Sequence, residues 1–340
     1  MKIGILNGGG DCAGLNAVTR AVVRKSDQFG FEVVGIRHGW AGLLELDTVP
    51  LKWGDVSHVM NLGGTILHTT RTNPFSRKYG PETVLSNYRK MALDALVAVG
   101  GEDTLSVAAK LAQMGLKAVG VPKTIDNDIV ETDMTFGFDS AVNVTVDAID
   151  RIQTTGESHD RIMIVEVMGR HAGWIAAYAG LASGANLTLV PEEPIDMDEV
   201  AAFLRKRHEL GATASVVVVG EGCYLKNGSA GDASKLDEFG HVRLGGIGDF
   251  LAKEIERRVG IQTRAVVLGH VVRGGSPSAY DRILATRLAV AAVQAVKDGV
   301  FGVMVCLRGN VVSRVPLKDI LEKMKNLDKD TLGLVKDFQN

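Results

Sequence analysis

Two loops concentrate the side chains of this chain that can do chemistry. Gly100-Gly101-Glu102-Asp103-Thr104 closes the apolar run Leu96-Val97-Ala98-Val99, and Pro122-Lys123-Thr124-Ile125-Asp126-Asn127-Asp128 closes Ala118-Val119-Gly120-Val121. Carboxylates, a lysine and glycine-exposed amides on neighbouring turns suit a magnesium-bound phosphoryl donor. Mg2+ takes one or two carboxylates and completes its shell with phosphate oxygens and water, so Glu102 and Asp128 are the candidate ligands. The competing role for both is helix capping, since carboxylates favour the first turn. A third glycine turn, Gly8-Gly9-Gly10-Asp11-Cys12-Ala13-Gly14, stands between a strand-like and a helix-like stretch. Its Gly8 to Gly10 amides could meet phosphate at a helix N-terminus. Gly8-x-Gly10-x-x-Ala13 also loosely fits a dinucleotide fingerprint, which calls for an acid closing the second strand. That strand closes with Arg37-His38 and has Glu32 at its start, which disfavours a nicotinamide cofactor. Standing alone, the loop would read as a tight structural turn.

The elements that must position these loops alternate regularly. Leu105 to Met114 reads as the crossover helix of a βαβ unit, so both acidic turns open at the carboxyl edge of a parallel sheet, where ligands bind. Ahead of it the pattern predicts a strand over Lys2 to Asn7 and a helix over Leu15 to Phe29. Then come a strand over Phe31 to Ile36, a less regular stretch from Leu43 to Val59, and a helix over Pro81 to Leu93. A helix over Asp139 to Gln153 leads into a second series. Strands are expected at Arg161–Val167, Leu187–Val190, Ala214–Val219, Arg264–Leu268 and Val303–Leu307. Helices are expected at His171–Leu181, from an Asp196 cap to about Leu210, at Gly248–Arg258 and at Ser278–Lys297, with a tail helix from near Leu317. Residues 225 to 247, rich in Gly, Ser, Asp and Lys, read as a loop or small hairpin insertion. The fold class is α/β, with two doubly wound, mainly parallel lobes and the site in the cleft between them. One lobe is expected at 1–138 and the other at 139–270, with 271–340 returning to the first.

Composition narrows the function classes. A chain of 340 residues is comfortable as two lobes, and no apolar run approaches the ~20 residues of a membrane span. The formal charge of −2 argues against nonspecific nucleic-acid binding, so an anionic ligand needs a local cationic pocket. Cys12, Cys223 and Cys306 are far apart and odd in number, giving neither a disulfide framework nor metal-ligand spacing. Cys12, although inside the glycine loop, reads as a small filler. Met1-Lys2-Ile3-Gly4-Ile5-Leu6 enters a strand directly, without a signal-peptide layout, so a reducing cytoplasm is the expected compartment.

The two acidic strings resemble the 6-phosphofructokinases, specifically the pyrophosphate-dependent branch. The likeness continues at Gly8-Gly9-Gly10-Asp11-Cys12-Ala13-Gly14-Leu15-Asn16, at Met168-Gly169-Arg170, and at Gly269-His270-Val271-Val272-Arg273-Gly274-Gly275-Ser276-Pro277, spanning residues 2 to about 290. Thr124-Ile125-Asp126-Asn127-Asp128 and His270-x-x-Arg273-Gly274-Gly275-Ser276-Pro277 are individually specific. A Gly-Gly-acid loop alone would be weak.

The resemblance implies roles for particular residues. Asp126 would be the general base that takes the proton of the attacking sugar hydroxyl, with Thr124 beside it; an Asx-turn role is the bland alternative. Arg161, Arg264, His270 and Arg273 match positions that bind fructose 6-phosphate, Arg161 and Arg264 reaching in from a neighbouring subunit of a homo-oligomer. Met168, Gly169, Arg170 and Glu221 match positions around the sugar ring and the transferring group, and Ile125, Val271 and Val272 fall in the same substrate-binding strings. Guanidinium forks suit phosphate oxygens, although each arginine alone is more often a surface ion pair. Gly10, Arg71, Gly101, Asp103 and Thr104 fall on the donor side. Trp40 matches an aromatic beside the nucleotide of ATP-using relatives, or serves packing alone. Mg2+ is the implied cofactor, and no nucleic acid or membrane partner is implied.

Asp103 and Lys123 bear on the donor. In ATP-using relatives both positions are glycine, leaving room at Asp103 for the nucleotide's α-phosphate. A carboxylate there opposes that phosphate by bulk and charge; two unit charges at ~4 Å repel by about 4 kcal/mol at an effective dielectric of ~20. Lys123 could neutralise charge developing on pyrophosphate; an ordinary Asp–Lys pair is the competing reading. Of the basic residues that bind nucleotide effectors in bacterial ATP-using relatives, Arg20 and Arg24 persist while other positions hold Trp53, Gln153 and Leu210. Little nucleotide control is expected. The combined expectation is a reversible pyrophosphate-dependent phosphofructokinase. The alternatives are an ATP-dependent or mixed-donor enzyme and a noncatalytic sugar-phosphate sensor.

Overall fold

A computed structural model describes residues 1–226 and 244–339. The elements run β1 (Lys2–Asn7), α1 (Leu15–Gln28), β2 (Glu32–Ile36), α2 (Trp40–Glu45), β3 (Thr48–Leu51), α3 (Gly80–Lys90), β4 (Ala95–Gly100), α4 (Glu102–Gln113), β5 (Ala118–Thr124), β6 (Phe136–Gly137) and α5 (Phe138–Ser158). They continue β7 (Ile162–Val167), α6 (Trp174–Ser183), β8 (Leu187–Leu189), α7 (Met197–Glu209), β9 (Ser215–Gly220), α8 (Ile247–Val259), β10 (Thr263–Val267), α9 (Ala279–Lys297), β11 (Val303–Arg308), β12 (Val311–Pro316) and α10 (Lys329–Asp337).

Two sheets result. The first has the order β12-β11-β5-β4-β1-β2-β3, with β6 paired to β5; the second is β10-β7-β9-β8. Every pairing in the second sheet is parallel, and in the first only the outermost strands β12 and β3 pair antiparallel. β4, β5, β7 and β9 are buried along their whole length, as expected of parallel strands covered on both faces.

The strand period of two divides the core into layers. In β4, Ala95, Val97 and Val99 join the cluster containing α1 and α9, while Leu96 and Ala98 join the cluster with α2, α3 and α4. The first cluster continues through α5 and α6 to Met163, Val165 and Val167 of β7. The opposite face of that strand, Ile162 and Ile164, packs with α7 and α8. Each sheet is thus covered on both faces, giving two α/β lobes with a shared inner core. Asp196 caps α7 by accepting from the Asp198 and Glu199 amides, and Ser278 caps α9 by accepting from Asp281. No helix of the described residues is long and apolar enough to cross a membrane.

Several expectations are corrected. The stretch Leu43 to Val59 contains the end of α2, the antiparallel β3 and a short 3-10 turn. Pro122, Lys123 and Thr124 belong to β5 itself, so the second acidic turn begins only at Ile125. His171 to Gly173 precede α6 instead of opening it. The tail from Leu317 forms one 3-10 turn to Ile320, and the last helix begins at Lys329. Most of the insertion read at 225 to 247 lies outside the described residues.

Candidate active site

At the carboxyl ends of β4 and β5 lies a cavity of about 390 Å3, lined from both lobes and from the C-terminal tail. The first lobe contributes Gly9, Gly10 and Arg71, then Gly101 to Thr104 of the α4 N-terminus, and Lys123, Thr124, Asp126 and Asp128. Arg170 and His171 come from the loop after β7, Arg273 from the turn before α9, and Glu322, Lys323 and Met324 from the tail.

The helix that presents its N-terminus to this cavity is α4. α1 begins at Leu15, after the left-handed Gly14, several residues beyond the glycines expected to hold phosphate. The Gly8 amide donates to Val99 O at 2.9 Å and that of Gly9 to Thr70 O at 3.1 Å. Both are spent on the fold because Gly8 extends the β1–β4 ladder; of the three, only Gly10 has no backbone acceptor among the described residues. α4 starts directly after Gly100-Gly101 and carries no side-chain cap, so its first amides face the cavity with the helix dipole behind them. Thr104 is buried there, and a Cβ at Gly100 would lie 2.4 Å from its own Cβ. Only glycine permits that turn.

Lys123 is buried at the end of β5, with its ammonium bonded to the Gly10 carbonyl. Burial pushes its pKa down, while the Asp126 and Asp11 carboxylates oppose the shift. Arg273 reaches the same loop: its guanidinium donates to Asp11 O at 3.0 Å and lies 2.6 Å from where a Gly10 Cβ would stand. The glycine makes room for the guanidinium.

Asp126 is 5% exposed, and its Oδ1 is buried with no hydrogen-bond partner among the described residues. A buried carboxylate oxygen is costly unless something bonds it. Its backbone is fixed by Thr124 Oγ1, which accepts the Asp126 amide at 3.0 Å. Asn127 follows at φ 51°, a left-handed conformation that Asn tolerates, with its Oδ1 accepting from the Thr135 amide at 3.0 Å. Burial, and next the Asp126 carboxylate, push Asp128 up to about 7, with Glu102 adding to the repulsion. Glu102 Oε1 also accepts from Ser106 Oγ at 2.5 Å, one helical turn on.

Among the described residues, no cluster of three or more His, Cys, Asp or Glu side chains closes round a metal position. A cation here would have at most two protein carboxylates, which fits Mg2+ with a phosphate and water shell. The mutual repulsion of Asp128, Asp126 and Glu102 fits a site completed by positive charge.

On the second lobe, Glu221 Oε1 accepts the amides of Gly169 and Arg170 at 3.3 and 3.1 Å and so shapes the Met168-Gly169-Arg170 turn. Arg170 sits at φ 51°; burial raises the Glu221 pKa. Of the second-lobe and C-terminal sugar-side residues, Arg170 and Arg273 line this cavity; Met168, Gly169, Glu221, Arg161, Arg264, His270, Val271 and Val272 do not, nor does Ile125. Ile125 and Val272 are core side chains, 1% and 2% exposed, leaving only their backbone for a ligand, whereas His270 and Val271 face solvent. Arg161 donates to Gln262 Oε1 at 2.7 Å, and Arg264 pairs with Glu256 at 3.3 Å. Both stand at the start of β7 and β10, the sheet edge opposite the one that carries Arg170 and Glu221. Trp40 is buried in the outer core of the first lobe, and Cys12 is buried with its thiol pushed up to about 12. The Arg24 guanidinium stacks on Trp53 at 4.3 Å. His171 and the tail residues Glu322, Lys323 and Met324 join the site unannounced by sequence reasoning: His171 adjoins a recognised motif, and the tail carries none.

A parallel α/β fold with two lobes, carboxylates and a lysine at strand ends, and a helix N-terminus aimed into the cleft defines a phosphoryl-transfer class of protein. The Phosphofructokinase family profile matches residues 2–296, and the chain belongs to that family. It is 53% identical over 329 residues to the pyrophosphate--fructose 6-phosphate 1-phosphotransferase of Amycolatopsis methanolica, covering 96% of each chain. It is 47% identical to the protein of that name from Dictyoglomus thermophilum, covering 100% of this chain and 99% of the other. An ATP-dependent 6-phosphofructokinase 3 of Streptomyces coelicolor is 48% identical, covering 96% of each. Among solved structures, a pyrophosphate-dependent phosphofructokinase of Marinobacter aquaeolei superposes with a TM-score of 0.84 at 22% identity, covering 99% of this chain and 91% of that one. Phosphofructokinase of Saccharomyces cerevisiae superposes with a TM-score of 0.81 at 30% identity; 99% of this chain spans 47% of that longer one.

Proposed function

We propose that the chain is a cytoplasmic, Mg2+-dependent pyrophosphate–fructose 6-phosphate 1-phosphotransferase. It moves one phosphoryl group reversibly from pyrophosphate to the sugar's 1-hydroxyl and releases phosphate. Overall identity does not separate the donors, since pyrophosphate-named and ATP-named relatives match at 47 to 53%. The observation that carries the donor assignment is that Asp103, in the first turn of α4, and Lys123, held against the Gly10 carbonyl, both line one cavity. The carboxylate opposes an α-phosphate and the ammonium serves a compact, highly charged donor.

Asp126, on the cavity wall, takes the proton of the 1-hydroxyl as the oxygen attacks. Lys123, Arg71 and Arg170 balance the charge on the transferring and leaving groups, with Gly10, Gly101 and Thr104 shaping the donor pocket. Glu102 and Asp128 would hold Mg2+, which supplies charge neutralisation and orients the donor when bound. Met168, Gly169, Arg170 and Glu221 border the sugar, and Arg273, His270 and the Ile125, Val271 and Val272 backbone complete that side. Arg161 and Arg264 serve the sugar phosphate of a neighbouring subunit, consistent with their place at the far edge of the second sheet. The lobes divide at about residues 138 and 270, and β11 and β12 return to the first sheet.

Steady-state kinetics at fixed Mg2+ and fructose 6-phosphate, with pyrophosphate or ATP as donor, test the reading. The expected kcat/KM for pyrophosphate exceeds that for ATP at least about hundredfold, on the scale of a ~3 kcal/mol discrimination. An outright preference for ATP would overturn the donor assignment. Absence of transfer with either would leave the sensor reading.

A further inference from the structure

The segment between the 3-10 turn Leu317–Ile320 and α10 crosses the cavity wall and touches both lobes. Glu322, Lys323 and Met324 line the cavity; Lys325, the next residue, is not part of that lining. It grips the catalytic loop instead. Its backbone amide donates to Asp128 O at 2.7 Å. Its Nζ donates to Asn127 Oδ1 at 3.1 Å, to Thr132 O at 2.9 Å and to Asp133 O at 2.9 Å. Three acceptors match the three donors of an ammonium. The Nζ also lies 5.1 Å from the centre of the Trp174 ring, within cation–π range.

The other end of the grip is on the second lobe. Trp174 Nε1 donates to Lys325 O at 2.9 Å, and the Leu327 amide donates to Glu192 Oε1 at 2.9 Å. Glu192 also accepts the Gly173 amide at 3.0 Å. Asp126 to Asp128 are thereby joined through Lys325 to the start of α6, just after Arg170 and His171.

We propose that Lys325 is a positioning residue for the phosphoryl-transfer step, holding the Asp126–Asp133 loop in register with the Arg170 loop of the other lobe. The proposal rests on the reading of Asp126 as general base. Residues 125 to 135 contain no helix or strand, so the loop depends on side-chain ties. Its far part is tied to the end of β11 through Thr132, whose Oγ1 accepts the Leu307 amide at 3.0 Å, and through Glu131, paired with Arg308; nearer Asp126, Asn127 ties it through Thr135. Removing the ammonium leaves Thr132 O without its donor and takes one donor each from Asn127 Oδ1 and Asp133 O; a stranded acceptor costs on the order of 1 kcal/mol or more. The loop then relaxes, and a displacement of ~1 Å at a reacting group can cost about a hundredfold in rate. Because Lys325 does not line the cavity, the loss falls on kcat while substrate affinity is kept.

The test compares wild type, Lys325→Met and Lys325→Arg in the full chain with Mg2+, with Lys336→Ala as control; Lys336 is exposed and pairs with Glu193. Lys325→Met is expected to lower kcat about tenfold to a hundredfold with both KM values within about threefold of wild type. Lys325→Arg should recover part of the loss, and the control should match wild type. Hydrogen exchange of the peptide 125–135 should be faster in the Met variant and not in the control. A Met variant within about twofold of wild-type kcat, a fall in kcat/KM carried by KM, or unchanged exchange in that peptide would each overturn the proposal. If the Met variant does not fold, Lys325→Gln is judged by the same criteria. Were wild type inactive with pyrophosphate and ATP alike, the functional reading would fail, and the exchange measurement would decide the tether by itself.

Discussion

The donor assignment is open to direct attack at Asp103. This residue occupies the second position of α4 on the cavity wall. A nucleotide donor must place an α-phosphate where pyrophosphate ends. With about one unit of charge on that phosphate at ~5 Å and an effective dielectric of ~20, repulsion is about 3 kcal/mol, or roughly two decades in kcat/KM. Mg2+ and Lys123 screen part of this, so Asp103→Gly should raise kcat/KM for ATP by about tenfold to a hundredfold. Asp103→Asn keeps the bulk and removes the charge; its share of the gain separates electrostatics from sterics. Glycine in a first turn also costs up to ~1 kcal/mol of stability, so melting temperatures must accompany the kinetics.

Lys123→Gly should act in the other direction. It removes the cation against Gly10 and lowers the pyrophosphate reaction without creating ATP use, because binding a donor is distinct from stabilising its transition state. The double variant measures coupling, and contacts within one charge network commonly differ from additivity by 0.5–3 kcal/mol. The reasoning is refuted if Asp103→Gly and Asp103→Asn both leave the ATP/pyrophosphate ratio within about threefold of wild type, well inside the two decades the repulsion supplies.

Three further outcomes are expected. Asp126→Ser should lower kcat by ~10²–10⁴-fold while fructose 6-phosphate still binds by calorimetry; more than half of wild-type kcat would remove Asp126 from the mechanism. Mixing Arg161→Ala with Asp126→Ser should regain activity after subunit exchange, since a hybrid holds one intact composite site; hybrids seen by native mass spectrometry without recovery would count against shared sites. Asp281 carries a pH signature. Burial raises its carboxyl from 3.8 to about 6, so the folded state holds an extra proton between those values. Stability therefore falls as pH rises through that window, by up to ~3 kcal/mol. In denaturant titrations at pH 4 and 7, Asp281→Asn should gain on wild type at the higher pH; a pH-independent difference would refute the assignment.

Legibility in the sequence followed the distance over which each contact is made. β4 and β5 are unbroken apolar runs ending at loops with chemistry, so the βαβ unit and its acidic residues could be placed from about thirty adjacent residues. The glycine loop was harder. Gly8 and Gly9 lose their amides to Val99 and Thr70, and no local pattern shows which strand becomes the neighbour of β1. In the tail, Leu317, Ile320, Leu321 and Met324 have helical spacing, yet the chain makes one 3-10 turn and is extended at Leu321. The chain then turns toward the cavity. Lys325 had no motif to announce it, because its acceptors lie up to 198 residues away. Arg161 and Arg264 are the opposite case. They came only from the likeness to family positions, and one chain sets them at the starts of β7 and β10, six-residue and five-residue strands away from Arg170. A strand of six residues spans roughly 17–20 Å, beyond the reach of an arginine across its own sheet. If these residues bind the sugar phosphate, a second copy of the chain must bring them, so the subunit-exchange experiment tests the assembly and the sugar site together.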